Sequence, residues 1–394
     1  MPDVMIASAT RTAIGSFGGK LRDVPPTELG AIVVREALSR ADVEPADVGD
    51  VVFGNVIHTE PKDMYLARVV ALNGGIEPKT PCLTVNRLCG SGLQAIISAA
   101  QHLMLGDAEI AVAGGAESMS RAPHATGGIR TGQRMGDLKI TDMMLGALND
   151  PFGHGHMGVT GENVARRWQV SRADQDALAL ESQRRAANAI REGRFASQIT
   201  GVKVRVGREE TMFNTDEHVK PNTDMDGLRA LKPAFGKEGT VTAGNASGIN
   251  DGAAALVLMT EAEAKRRGAK PMARIVGYGH AGVEADVMGI GPVDAVRKLL
   301  ARTGLKISDF DVIESNEAFA AQACAVAREL GFPSERTNPN GGAIALGHPV
   351  GATGAILVTK AVYELARTGG RYGLITMCIG GGQGIALAVE NIKQ

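Results

Sequence analysis

Four side chains stand where the local sequence favours chemistry: Cys89, Asn316, His348 and Cys378. Cys89 lies in NRLCGSG, where a short apolar run ends. A helical pattern carrying Leu93, Ile96, Ile97, Ala100 and Leu103 then begins, so the thiol heads a helix. A helix N-terminus stabilises a thiolate through its dipole, and an adjacent imidazole lowers the thiol pKa further from about 8.5. Cys89 therefore reads as a nucleophile with a depressed pKa. His348 occupies a similar place in NGGAIALGHPVGATG, a glycine-rich turn feeding a helix expected to begin near Pro349. Glycine lets backbone approach a ligand closely, and unpaired N–H groups cluster at such a junction. Cys378 lies where an apolar strand runs into Gly380, Gly381 and Gly382. A simple hydrolase needs one nucleophile and one base. A second reactive thiol points to a second proton transfer, at a carbon beside a carbonyl. Asn316, in SNEAF, ends a strand and is placed to orient a water toward an oxyanion.

The elements that must position these groups occur twice. After Cys89 come a helix, a break at Gly106 and Asp107, a strand over Ile110 to Ala113, and Gly114 and Gly115. After His348 come a helix, a break at Gly369 and Gly370, a strand through Leu374 and Ile375, and Gly380 to Gly382. Residues 37–56 and 299–318 also correspond: helix end, polar connection, apolar strand, then a turn holding Asn55 or Asn316. Two correspondences in the same order, about 260 residues apart, argue for a duplicated α/β domain. If the halves pack about a pseudo-twofold, their helix starts face each other and bring base to nucleophile. Alternating helices and strands suggest mostly parallel sheets covered by helices. The spacing predicts one helix over Thr27–Arg40 with Thr27 as N-cap, and another over Ser171–Glu192, closed by Gly193. The intervening segment, richer in charge, glycine and methionine, reads as an insertion that covers substrate or cofactor. The expected division is 1–118 with 250–271, an inserted 119–249, and 272–394. Arg130 and Arg134 in the insertion fit either a solvated face or an interface.

Composition narrows the function. A chain of 394 residues with 44% hydrophobic and 22% charged residues is long enough for two or three full cores and is of globular character. A formal net charge of −1 and 4% aromatics supply neither the basic stripe nor the stacking rings of a nucleic-acid binder. Small-molecule substrates are expected. There is no run of about 18 apolar residues, and the start MPDVMIASATRT lacks signal-peptide character, so a cytoplasmic protein without membrane contact is expected. The four cysteines show no metal-ligand spacing, and no metal is expected. Cys82 and Cys324 lie in apolar settings and read as buried, inert residues. His58, His102, His124, His218 and His280 form no cluster, and Glu317 fits either a structural or a site role.

With these residues in view, the sequence resembles the thiolases, in particular the short-chain biosynthetic type (acetyl-CoA acetyltransferase, or β-ketothiolase). The resemblance covers essentially the whole chain through NRLCGSG at 86–92, NEAFA at 316–320, NGGAIALGHPVGATG at 340–354 and CIGGGQG at 378–384. It implies a five-layered αβαβα fold of two similar halves with an inserted loop domain, assembled as a homotetramer, a dimer of dimers. It also implies an acyltransferase that condenses two acetyl-CoA molecules and cleaves short 3-ketoacyl-CoA esters. Coenzyme A and acetyl-CoA are then substrates, with no permanently bound cofactor. By the same resemblance Cys89 is acylated, His348 activates it, Cys378 is the acid/base on the α-carbon and Asn316 holds a water. The N–H groups of Cys89 and Gly380 line an oxyanion hole. Acyl-CoA contacts are implied at His156, Met157, Lys220, Phe235, Ala243, Ser247, Met288, Ala318 and Phe319. Many relatives carry arginine where this chain has Lys220 and serine where it has Gly227; lysine meets phosphate only as a point charge. The competing readings are a degradative thiolase preferring longer chains and a thiolase-fold binding protein without catalysis. A fatty-acid-type condensing enzyme would pair its cysteine with two histidines.

Overall fold

Successive residues of the strands face different cores, as the two-residue period of a strand requires. In the strand Asp50–Gly54, Val52 joins one apolar cluster while Val51 and Phe53 join another; in Tyr372–Ile379, Ile375 and Leu374 divide in the same way. The computed structural model describes residues 2–392. One cluster packs the helix Pro26–Ala41 through Leu29, Val33 and Leu38 onto the outer face of the first-half strands. A second packs the helices Gly291–Thr303 and Ala320–Leu330 onto the outer face of the second-half strands. Between the two sheets lies a third cluster, built on the helices Ser91–Leu105 and Thr353–Thr368. The order is therefore helix, sheet, helix, sheet, helix.

The strand order shows the duplication. From the centre outward the first half runs Val4–Thr12, Asn250–Thr260, Ile110–Ser118, Asp50–Gly54, Cys82–Val85, and the second runs Ala273–Gly282, Gln383–Asn391, Tyr372–Ile379, Phe310–Ser315. A short antiparallel pairing of Met5 with Arg274 and Ile6 with Ala273 joins them at one edge. The expectation of mostly parallel sheets is corrected. Val4–Thr12, Asn250–Thr260 and Ile110–Ser118 pair antiparallel, and so do their second-half counterparts. In the second half the cause is local: Gly380–Gly382 turn Tyr372–Ile379 straight back as a hairpin, with φ of +81° and +86° at Gly381 and Gly382.

Three smaller expectations also change. The first helix starts at Pro26 with Pro25 as N-cap, so Thr27 lies buried inside the first turn, because proline already suits a first helical position. The helix after His348 starts at Thr353, preceded by a turn in which the N–H groups of Ala352 and Thr353 donate to Pro349 O. Cys82 and Cys324 are half-buried rather than enclosed. The helix Arg172–Arg191 is capped as its sequence indicates, by Ser171 and Asp174 bonding each other's backbone N–H, with Gly193 at φ +70° beyond its end. Arg130 and Arg134 are both exposed.

Candidate active site

Cys89 stands one residue before Gly90, the N-cap of the helix Ser91–Leu105. Leu88 immediately before it has φ +46°, an uncommon and strained conformation for a bulky residue, of the kind concentrated at functional turns. Local bonds hold the elbow. Ser91 Oγ accepts from Arg87 N (2.8 Å) and donates to Leu88 O (2.7 Å), while Asn86 Oδ1 accepts from Leu88 N (3.0 Å). Gly90 lets Ile379 approach, for a Cβ there would lie 2.5 Å from Ile379 Cδ1. Cys89 is half-buried at this turn. The N–H groups of Gly380 and of Cys89 itself point at its sulfur and favour the thiolate. Dense surrounding protein outweighs them and pushes the thiol up to about 11. The expected depressed pKa is therefore corrected: desolvation exceeds the helix-terminus effect.

His348 is held from both ends. Its N–H donates to Asn250 Oδ1 (2.9 Å), and Gly347 before it has φ +108° and presses on the Asn250 side chain, where a Cβ would collide. On the ring, Nδ1 lies 2.6 Å from Thr353 Oγ1, and Thr353 Oγ1 lies 2.9 Å from Pro349 O. A threonine hydroxyl has one proton, so both contacts are hydrogen bonds only if Oγ1 donates to Pro349 O and accepts from Nδ1–H. That assigns the tautomer: Nε2 carries the free lone pair. It faces the amide Nδ2 of buried Asn316 at 3.5 Å, a donor that suits an unprotonated nitrogen. Burial pushes the thiol up to about 11 and the imidazole down to about 4, and both shifts disfavour an ion pair in the resting site. The pair is neutral at rest.

Cys378 is fully buried near the end of its strand, and burial followed by the charge of neighbouring Cys89 raises its thiol pKa. It packs in an apolar cluster with Met157, Met288, Ala318 and Phe319. A cavity of about 50 Å³ brings Cys89, His348 and Gly380 together, with Met157, Ser247, Met288, Ala318 and Phe319 among its walls. Phe235 does not reach this cavity. It stacks on His156 (4.8 Å, 17°) and meets Phe319 edge-on (6.4 Å, 89°), which links His156 to the cavity wall through an aromatic chain. His156 caps the helix Met157–Arg167, its Nδ1 accepting from Gly158 N at 3.0 Å. Lys220 and Ala243 line a separate cleft of about 310 Å³ together with Gly227. Among the described residues no cluster of three or more His, Cys, Asp or Glu could hold a metal, and no helix is long and apolar enough to cross a membrane.

Sequence reasoning passes over three residues that the geometry brings forward: Thr353 on the imidazole, Asn250 on the His348 backbone, and Glu117. Thr353 alone has a sequence signal, five positions beyond His348 at the start of the same helix. Asn250 and Glu117 arrive from strands far along the chain. Glu317, left open by the sequence, is buried and accepts from Ser182 Oγ (2.7 Å), Asn338 Nδ2 (2.8 Å) and Ile344 N (3.3 Å), which is a structural role.

Residues 4–262 match the family described as "Thiolase, N-terminal domain" and residues 269–391 the one described as "Thiolase, C-terminal domain". The chain is 61% identical over 391 residues to the beta-ketothiolase BktB of Cupriavidus necator, covering 99% of each chain. It is 49% identical over 390 residues to an acetyl-CoA acetyltransferase of Chromobacterium violaceum, covering 98% of this chain and 99% of the other. The crystal structure of human mitochondrial 3-ketoacyl-CoA thiolase in complex with CoA superimposes with a TM-score of 0.96 at 42% identity, over 99% of this chain and 98% of that one.

Proposed function

The chain belongs to the thiolase family, and on that premise we propose that Cys89 carries the acyl group between two acyl-CoA molecules. The reaction is that of an acetyl-CoA C-acetyltransferase of β-ketothiolase type: two acetyl-CoA give acetoacetyl-CoA and CoA, reversibly, and short 3-ketoacyl-CoA esters undergo thiolysis. The observation that carries the assignment of roles is the 50 Å³ cavity onto which Cys89, His348 and Gly380 converge.

In the first half-reaction Cys89 Sγ attacks the acetyl-CoA carbonyl carbon while its proton passes to His348 Nε2. The N–H groups of Cys89 and Gly380 point at the Cys89 sulfur, and we assign them the oxyanion that forms beside it. The bond to the CoA sulfur then breaks, and the leaving thiolate takes the proton of the Cys378 thiol while His348 keeps the proton from Cys89. The second half-reaction starts from the Cys378 thiolate so formed, which removes an α-proton from a second acetyl-CoA. The α-carbon attacks the acetyl-Cys89 carbonyl, the carbon–sulfur bond to Cys89 breaks, and the Cys89 thiolate takes the proton held on His348, which leaves all three groups neutral.

The small cavity supports short acyl chains, and the Lys220 cleft supports a docking place for the distal part of CoA. Exposed Ile129, Met135, Leu138, Ile140, Met143 and Leu145 within the inserted segment support burial against other copies, in a homotetramer of cytoplasmic location. The test of the central step is intact mass after incubation with acetyl-CoA. An acetyl adduct mapping to Cys89 and absent from Cys89→Ser is expected; an adduct that persists in the variant refutes the assignment.

A further inference from the structure

Glu117 is the penultimate residue of the strand Ile110–Ser118, is fully buried, and has no part in the steps above. Its carboxylate accepts from four N–H donors. Oε1 takes Asn55 Nδ2 (3.1 Å) and Ile57 N (3.1 Å), and Oε2 takes Val56 N (3.0 Å) and Gly351 N (2.9 Å). Three donors belong to the first half, which carries Cys89; the fourth belongs to the second-half turn that begins at His348. Val56, whose own amide is held, and Val350, next to held Gly351, are walls of the active cavity.

Resting on the reading of His348 as the base for Cys89, we propose that Glu117 is a positioning residue that clamps the His348–Thr353 turn onto the half of the molecule holding the nucleophile. The turn is pressed into place by glycines. A Cβ on Gly351 would meet Glu117 Oε2 at 2.4 Å, and one on Gly115 or Gly54 would meet Gly351 O at 2.2 or 2.8 Å. From Gly351 the path to the imidazole is short: Thr353 Oγ1 and Pro349 O lie within the same turn and fix Nδ1. At the turn's other end Asn250, also from a first-half strand, takes the His348 N–H. Both anchors of the base thus come from the first half, although its chain segment belongs to the second. Burial outweighs the backbone donors and raises the Glu117 pKa to about 8, with nearby Asp251 adding to the rise. All four contacts are donors, so the carboxylate is the form that satisfies them, and a protonated carboxyl would turn an O–H toward N–H groups.

The test is made at pH 8.5, which favours the carboxylate. Glu117→Gln keeps the shape and replaces one acceptor oxygen by a donor. Acyl exchange between acetyl-CoA and labelled CoA is expected to lose about 10- to 100-fold in kcat with KM changed less than twofold. The double variant with Thr353→Val is expected within about threefold of the slower single variant, because both changes act through one imidazole. Asp216→Asn, another buried carboxylate with no place in the site, is the stability control and keeps kcat while Tm falls. Should Glu117→Gln not fold, Asn55→Ala withdraws one donor and carries the same comparison, with a loss of about threefold to tenfold. Exchange within twofold of wild type, or a double variant whose loss is the product of the singles, overturns the clamp. Failure of wild-type protein to form acetyl-Cys89 overturns instead the functional reading on which the clamp rests.

Discussion

Thr353→Val tests the tautomer on which the base role depends. The substitution keeps the branched shape of a fully enclosed side chain and removes only the oxygen 2.6 Å from His348 Nδ1. The buried Nδ1–H then has no acceptor, at a cost of about 1–3 kcal/mol. Moving the proton to Nε2 gives no relief, since Nε2–H would face the Asn316 amide donor at 3.5 Å and would no longer be a base. If the same cost falls on the transition state, kcat for acyl exchange drops about 10- to 100-fold. KM should stay within about twofold, because the imidazole acts on the thiol proton. Thr353→Ser retains the hydroxyl and is expected within about threefold of wild type. The measurement is rapid-quench acylation of Cys89 by acetyl-CoA alongside steady-state exchange. Valine and serine variants of equal rate, or a loss confined to KM, would refute the tautomer argument.

Other consequences are equally open to measurement. With its pKa raised to about 11, Cys89 stays a thiol across the neutral range, with a thiolate fraction of about 10⁻⁴ at pH 7. Iodoacetamide should therefore alkylate it more slowly than a free thiol, with a rate still climbing between pH 9 and about 10; a plateau below about pH 8 would show an ion pair instead. Asp216→Ala leaves the fully buried Arg11 guanidinium without its bidentate partner (2.7 and 3.0 Å) and should lower unfolding free energy by about 3–5 kcal/mol in urea titrations. A loss below about 1 kcal/mol would show that Arg11 finds another partner. Thiolysis should show graded kcat/KM among four- to six-carbon 3-ketoacyl-CoA esters and be poorest for 3-ketodecanoyl-CoA, since an apolar pocket discriminates by about 1–3 kcal/mol per methylene. A maximum at the ten-carbon ester would move the protein to the longer-chain class.

How far the sequence anticipates this site depends on the range of each interaction. Cys89 and His348 are visible because their turns are local: glycines, an apolar run and the start of a helix lie within a few residues. The duplication is visible because helix and strand order survives along the chain. Pairing direction is hidden, since an apolar strand buried on both faces has the same composition whether its neighbour runs parallel or antiparallel. Asn250 and Glu117 are hidden because their partners lie 98 and 234 residues away. Phe235 is visible as an aromatic near the site, yet only the stacked His156 ring shows that it supports the cavity wall without forming it. The direction of the Cys89 pKa is hidden as well. A helix start is legible in sequence, but the density of protein around a sulfur is a property of the assembled halves.

That enclosure accounts for the neutral resting state and also favours the later chemistry. The packing that lifts the Cys89 thiol to about 11 and lowers His348 to about 4 leaves about 50 Å³ between them, with Cys378 fully buried behind Met157 and Met288. An exposed thiolate–imidazolium pair would attack a thioester sooner, but it would leave acetyl-Cys89 open to water. On the roles proposed here, an acyl group on Cys89 would fill the space that water needs, and the α-carbon would lose its proton beside buried Cys378. The separation of the two pKa values raises the barrier for acylation, which the N–H groups of Cys89 and Gly380, in the oxyanion role proposed for them, would offset as charge develops. A site organised to make carbon–carbon bonds in water gains more from excluding solvent than from a ready nucleophile, and the full burial of Cys378 beside a half-buried Cys89 serves that end.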